Sequence, residues 1–292
     1  MPELRVLIGL PASGKSTYAL TLENYTPGQE QWRRINWDEE RVVRGMTVKF
    51  NREEEDRMQK DLFGQAEYWG KQGFNVVVDN TNLSERTRNK WRAVAQRAGM
   101  TYVEERMEAS PEECIRRDAK REGRACVGRP VIERMALFAD MIDWGKPFAR
   151  FVIVDMDGTL ADCSERRKFI SDGRKDWENF EARSFEDEPI WPIINLVAVL
   201  EQAGFRILIV SGRHIDKTGK DTVAWLEKYG IHYDHIFMRQ SGDNRPDDII
   251  KQEILDKLPK DRISYVLDDR NRVVDMWRAN GLTCLQVAPG DF

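Results

Sequence analysis

Cysteine and histidine are scarce in this chain, four of one and three of the other among 292 residues. Cys114, Cys126, Cys163 and Cys284 are too scattered to frame a zinc cluster or a disulfide network, so a reducing cytoplasm is the expected compartment. His214, His232 and His235 have no metal-ligand spacing and read as structural or surface residues. No apolar run approaches the roughly 20 residues of a membrane helix, and no signal-peptide pattern is present, so no membrane partner is expected. Internal repeats and low-complexity tracts are missing too. The net charge is only −4, which argues against a protein that coats nucleic acid through charge alone, though not against local basic clefts.

What is present describes a globular chain: 41% hydrophobic and 33% charged residues, with room for two domains of about 150 residues each. The halves differ in sign. Residues 1–149 hold 25 Lys+Arg and 24 Asp+Glu, and residues 150–292 hold the other 21 and 26. The acidic second half suits a divalent cation, and the first half carries the basic run RRDAKREGR.

Apolar strand signals, each followed by a helical pattern, occur in two sets, as expected of parallel sheets with helices on both faces. The first set is Leu4–Ile8, Trp32–Asn36, Phe74–Val78 and Thr101–Glu104. The second is Phe151–Val154, Arg206–Val210, Ser264–Leu267 and Thr283–Gln286. Gly145 and Pro147 in DWGKPFAR read as a helix stop and connector. The expected organisation is therefore two doubly wound α/β domains, 1–148 and 149–292.

In the first, GLPASGKS after a strand and before a helix matches a phosphate loop in full. Gly9, Ser13, Gly14, Lys15, Ser16 and Thr17 are the nucleotide-binding candidates: glycines turn N–H groups onto phosphates, Lys15 reaches the terminal phosphates, and Ser16 offers its hydroxyl to a metal. Asp38, just after the second strand, is placed either as a general base or as the cap of a helix over Glu39–Met46, with Arg41 one turn on. The strand ending in Asp79, Asn80, Thr81 and Asn82 turns polar groups to the nucleotide crevice. SPEECIRRDAKREGR reads as a helix capped by Ser110 and ending at Gly123. On it Arg117 and Arg121 share a face, as a phosphate lid or as a solvated charged surface.

In the second domain, FVIVDMDGTLAD ends a buried strand in Asp155, a candidate nucleophile, and Asp157, a candidate acid. VSGR supplies Ser211 and Gly212 for phosphate, with Arg213 beside them. RPDDIIK supplies Asp247 and Lys251, and LDDR supplies Asp268 and Asp269 for a metal. With Ser16, the expected metal residues are Asp155, Asp157, Asp268 and Asp269. This is the order of a haloacid-dehalogenase-type phosphatase.

Across GLPASGKST, INWDEER, NTNL, RRDAKR, DMDGTLA, VSGR, RPDDIIK, LDDR and MWRANGLTCLQVAPGDF, nearly the whole chain resembles the bacteriophage polynucleotide 5′-kinase/3′-phosphatase family. The resemblance implies ATP and Mg²⁺ as cofactors and DNA or RNA 5′ and 3′ ends as substrates. It also implies service to a nucleic-acid ligase, host cytoplasm for a phage-encoded protein, and compatibility with a homo-oligomer. It makes Asp38 the base, Arg41 the holder of the acceptor phosphate, Arg117 and Arg121 lid arginines, and Asp155, Asp157, Arg213, Asp247, Lys251, Asp268 and Asp269 the phosphatase residues. Two stretches depart from the family. Asn80 stands where it has an acid before Thr-Asn, with Asp79 one place earlier, and residues 163–189 differ, leaving Arg166 or Arg167 to touch substrate. The alternatives are a bifunctional small-metabolite kinase and phosphatase, which shares both folds, and a nucleotide-switched binding module. The short stretch after Asp162 speaks against the first, since it cannot build a large sealing cap. The paired acids of DMDGTL speak against the second.

Overall fold

The computed structural model describes residues 1–24, 31–46, 51–171 and 173–290. Tyr25, at the end of the helical stretch TYALTLENY, and the closing Asp291 and Phe292 lie outside the described residues. The chain divides into two compact units, Met1–Val127 and Gly128–Phe292. No helix among the described residues is long and apolar enough to cross a membrane.

The first unit runs β1 (Glu3–Ile8), α1 (Lys15–Glu23), β2 (Trp32–Ile35), α2 (Trp37–Val43), α3 (Arg52–Lys71), β3 (Asn75–Val78), α4 (Glu85–Ala98), β4 (Thr101–Arg106) and α5 (Pro111–Asp118). Its four strands are parallel in the order β2-β3-β1-β4. Leu4 and Val6 pack on one face with Met58, Leu62 and Trp91, while Leu7 and Val77 pack on the other with Ala19 and Trp32. Burial on both faces explains why β3 carries three consecutive valines, Val76 to Val78, rather than an alternating pattern. Trp32 is core, and Trp37 packs on Phe63 and Trp91.

The second unit runs α6 (Arg129–Phe138), β5 (Phe151–Val154), β6 (Ala161–Asp162), α7 (Ser164–Arg167), α8 (Trp177–Ala182), β7 (Glu188–Pro189), α9 (Trp191–Gln202), β8 (Arg206–His214), α10 (Ile215–Lys228), β9 (His235–Arg239), α11 (Asp247–Leu255), β10 (Ile263–Asp268), α12 (Asn271–Ala279) and β11 (Cys284–Gln286). Five parallel strands lie in the order β11-β10-β5-β8-β9. The antiparallel pair β6-β7 frames the insert that carries α7 and α8.

All eight expected strands form, β8 continuing past Val210 to His214, and β9 is added at the sheet edge. The units part well before the connector expected near residue 148, because α6 serves β9. Glu133, buried on α6, accepts from Ile236 N at 2.6 Å, and Arg134 Nη1 donates to Met238 O at 2.9 Å. An edge strand's unpaired backbone groups need such partners, and α6 supplies them.

Candidate active sites

In the first unit the phosphate loop, Asp38 and Asp79–Asn82 follow the C-terminal ends of β1, β2 and β3, where a doubly wound sheet opens its ligand crevice. Gly14 holds φ 101°, a left-handed conformation. At Gly9 a Cβ would stand 2.6 Å from Ser13 Oγ. Lys15 folds into the loop, Nζ donating to Leu10 O at 2.6 Å, and burial helped by the Arg121 charge brings its pKa down to about 8, against the pull of Asp79.

Asp79, not Asn80, faces the phosphate loop. Its Oδ1 accepts from Ser16 Oγ at 3.2 Å, while Oδ2 is held by Arg34 at 2.6 Å and Asn36 Nδ2 at 2.9 Å. Asn80, Thr81 and Asn82, the other substrate candidates of this strand end, each also tie the crevice to backbone. Asn80 Oδ1 accepts from Trp37 N at 2.9 Å, Thr81 O from Gly9 N at 3.0 Å, and Asn82 Nδ2 donates to Leu7 O at 2.8 Å. They brace the loops that present Gly9 and Asp38.

Helix α2 begins at Trp37, and its cap is Asn36, whose Oδ1 accepts from Glu39 N. Asp38 is therefore not a cap. Its carboxylate is 89% exposed and ion-paired with Arg41, which Glu55 of α3 holds from the other side at 3.0 Å. Ser110 caps α5 as expected, but the helix ends at Asp118 and not at Gly123. Asp118 is buried and accepts from Val127 N at 3.2 Å, which folds the chain back. Arg117 and Arg121 thus share no helix face. Arg117 still lies over the phosphate loop, 4.0 Å from where a Gly14 Cβ would be, and the Arg121 charge is felt at Lys15.

In the second unit Asp155 follows β5 directly. Lys251 of α11, 2% exposed, bridges Asp155 Oδ1 at 2.7 Å and Asp268 Oδ2 at 2.8 Å. Burial alone would discharge this ammonium, and the two carboxylates instead hold its pKa well above the usual range. Asp155, Asp268 and Asp269 are all buried, with one oxygen of each within 4.8 Å of the others. Burial and crowding push Asp269 up to about 6 and raise Asp155 as well. Such hard oxygen donors, short of positive charge, fit a divalent cation. At Gly158, φ 86°, a Cβ would lie 2.0 Å from Asp269 Oδ2, so only glycine lets the loop pass this acid.

Asp157, expected among the metal ligands, turns its carboxylate elsewhere. Arg166 and Arg213 each donate to its Oδ1 at 2.6 Å and outweigh burial, holding it ionised below the usual carboxylate range. Both arginines also grip Asp187, at 2.6 and 3.0 Å. Of the two arginines the sequence left open, Arg166 meets Asp157 and Arg167 meets Asp269 at 3.2 Å. Ser211 Oγ accepts from Arg213 N, and Gly212 passes so close to Asp247 that a Cβ would stand 2.6 Å from its carboxylate. Asp247 is ion-paired with Arg239 and Arg270. His214, read as structural, lines the cavity with Nδ1 2.5 Å from Glu181; His235 is buried against Glu133.

Residues 149–292 match the family described as the polynucleotide kinase PNKP phosphatase domain. Ahead of that stretch, residues 4–141 match the AAA domain family, so the chain joins a P-loop α/β unit to a haloacid-dehalogenase-like one. A putative bifunctional polynucleotide kinase/RNA ligase of Autographa californica nuclear polyhedrosis virus is 29% identical over 300 residues, 94% of this chain and 41% of that protein. A probable adenylyl-sulfate kinase of Aeropyrum pernix is 32% identical over 119 residues, 39% of this chain and 63% of that one. The chain spans less than two thirds of the length of both. A solved Pnkp1/Rnl/Hen1 complex contains a chain 27% identical, with a TM-score of 0.42, coverage being 100% of this chain and 98% of that one. Together the two units imply use of a nucleotide and a divalent cation.

Proposed function

We propose that the chain heals nucleic-acid ends, the first unit moving the γ-phosphate of ATP to a 5′-hydroxyl and the second removing a 3′-phosphate. The observation that carries the reading is one cavity of about 690 Å³ that holds Asp155 and Lys251 together with Asp157, Arg166 and Arg213. Seven arginines and two lysines line it against six carboxylates. A chain of net charge −4 thus gathers positive charge where a phosphate would enter.

In the second unit Asp155 attacks phosphorus, the bond to the ribose oxygen breaks, and that oxygen takes a proton from Asp157. Water then attacks the aspartyl-phosphate and returns a proton to Asp157, releasing phosphate and the free Asp155 carboxylate. Asp157, ionised by its two arginines, is already set for the second half. An incoming phosphate dianion competes for both guanidinium groups, and Asp157 then keeps a proton for the first half. Mg²⁺ held by Asp155, Asp268 and Asp269 would supply the positive charge that lets a carboxylate meet a phosphate dianion.

In the first unit Lys15 and Ser16, with Arg117 and Arg121, hold the triphosphate, and Ser16 and Asp79, 3.2 Å apart, would hold a Mg²⁺ ion that neutralises its charge. Asp38 takes the proton of the 5′-hydroxyl as its oxygen attacks the γ-phosphorus and ADP leaves; Arg41 holds the acceptor phosphate. The products, a 5′-phosphate and a 3′-hydroxyl, are what a ligase joins, and the viral relative's name couples polynucleotide kinase to RNA ligase. Four free cysteines suit work in a reducing cytoplasm. Oligonucleotides with 5′-hydroxyl and 3′-phosphate ends, incubated with labelled ATP and Mg²⁺, should gain label at one end and lose phosphate at the other. Unchanged ends, with turnover of small phosphometabolites only, would overturn the reading.

A further inference from the structure

The insert between β6 and β7 places two aromatic rings in the wall of the phosphatase cavity. Trp177 opens α8 and Phe180 follows one turn on, so both lie on one helix face. Their rings meet edge to face, centroids 5.8 Å apart, and both line the cavity. Trp177 is 53% exposed, whereas Trp91, Trp225 and Trp277 are fully buried. A single exposed tryptophan is ordinary, but this one stands in the same cavity as Asp155 and Asp157.

The pair is tied to the chemistry through one side chain. The Arg166 guanidinium lies 4.3 Å from the Phe180 ring centre, Arg166 Nη1 donates to Phe180 O at 2.9 Å, and Arg166 Nη2 donates to Asp157 at 2.6 Å. Ser184, which also lines the cavity, is buried, and its Oγ has no partner among the described residues. In a nucleotide, phosphate and base are separated by one sugar; here the reacting acid and the aromatic pair are separated by one guanidinium.

We propose that Trp177 and Phe180 are a stacking platform for the base of the nucleotide that carries the 3′-phosphate. The inference rests on the phosphatase reading above and adds what that site selects. Every base has a π face, so such a platform accepts any terminal nucleotide while favouring one with a base over a bare sugar phosphate. The basic cavity draws in the charged end, and the rings set its register.

The test compares two 3′-phosphorylated oligonucleotides that differ only at the terminal residue, one with a base and one with a stable abasic sugar. Full-length protein with Mg²⁺ is assayed for phosphate release as wild type, Trp177→Ala and Trp177→Phe, with folding followed by thermal melting. Wild type should show a KM on the order of tenfold higher for the abasic end. Trp177→Ala should raise KM for the base-bearing end and erase the difference between the two, and Trp177→Phe should keep most of it. Equal KM values for the two substrates in wild type would overturn the inference, as would Trp177→Ala raising both KM values by one factor. Should Trp177→Ala not fold, wild type and Trp177→Phe still decide. No phosphate release from either substrate by wild type would instead overturn the phosphatase reading itself, and this inference with it.

Discussion

Arg34 holds one oxygen of Asp79 so that the other faces Ser16. The guanidinium lies 2.6 Å from Oδ2, Asn36 adds a second donor at 2.9 Å, and Oδ1 is left 3.2 Å from the Ser16 hydroxyl. A metal ligand oriented in this way owes its aim to its neighbours, and loss of such partners commonly weakens metal affinity about 10- to 100-fold. Arg34→Ala should therefore raise the Mg²⁺ concentration for half-maximal kinase rate by about that factor, with partial rescue by Arg34→Lys. A Mg²⁺ titration unchanged in Arg34→Ala would make the contact merely structural.

The two activities should separate. Lys15→Ala removes the buried ammonium of the phosphate loop and should abolish 5′ phosphorylation while sparing 3′-phosphate removal; Asp155→Asn should do the reverse. Loss of both activities in either folded variant would contradict independent sites.

Asp38 should prove catalytic. With Asn36 as cap and the Asp38 carboxylate 89% exposed, Asp38→Ser should leave the melting temperature nearly unchanged. Base catalysis contributes about 10²- to 10⁴-fold, so the kinase rate should fall by that order while nucleotide binding persists. A near-normal rate would show that another group takes the proton.

Cation binding in the phosphatase unit should release protons at mildly acid pH. Burial and Asp268 push Asp269 up to about 6, so around and below that pH the cation-free site holds protons that Mg²⁺ must displace. Affinity should weaken as pH falls through about 6. Calorimetry in two buffers of different ionisation enthalpy should give Mg²⁺ heats that diverge near that pH and draw together toward about pH 8. Buffer-independent heats throughout would contradict the assignment.

Residues that end strands were legible because the signal is local: a buried run followed by Asp155, Asp79 or Asp268 needs no knowledge of the rest of the chain. What was not legible comes from distant partners. Glu55 and Asp187 carry no motif, yet each grips an arginine of a site, Glu55 from the facing helix and Asp187 from the far end of the insert. The helical pattern through Arg121 was overridden by burial of Asp118, whose carboxylate Val127 N needs. The stretch HIFMR shows no alternation because β9 is buried along its whole length.

Asp187 gives the most demanding prediction, because it never touches the reacting atoms. It shares Arg166 and Arg213 with Asp157, so two guanidinium groups are divided between two carboxylates. Neutralising Asp187 leaves both positive charges on Asp157, which deepens its ionisation and makes it a poorer proton donor. Asp187→Asn keeps the shape and should still fold, although breaking a buried ion pair costs about 3–5 kcal/mol. The loss of turnover should depend on the leaving group. A ribose oxygen needs a proton as it departs, whereas p-nitrophenolate does not, so kcat should drop far more for a 3′-phosphorylated oligonucleotide than for p-nitrophenyl phosphate. Equal losses on the two substrates would mean that Asp187 only holds the fold, and that the Arg166–Arg213 pair does not set the proton affinity of Asp157.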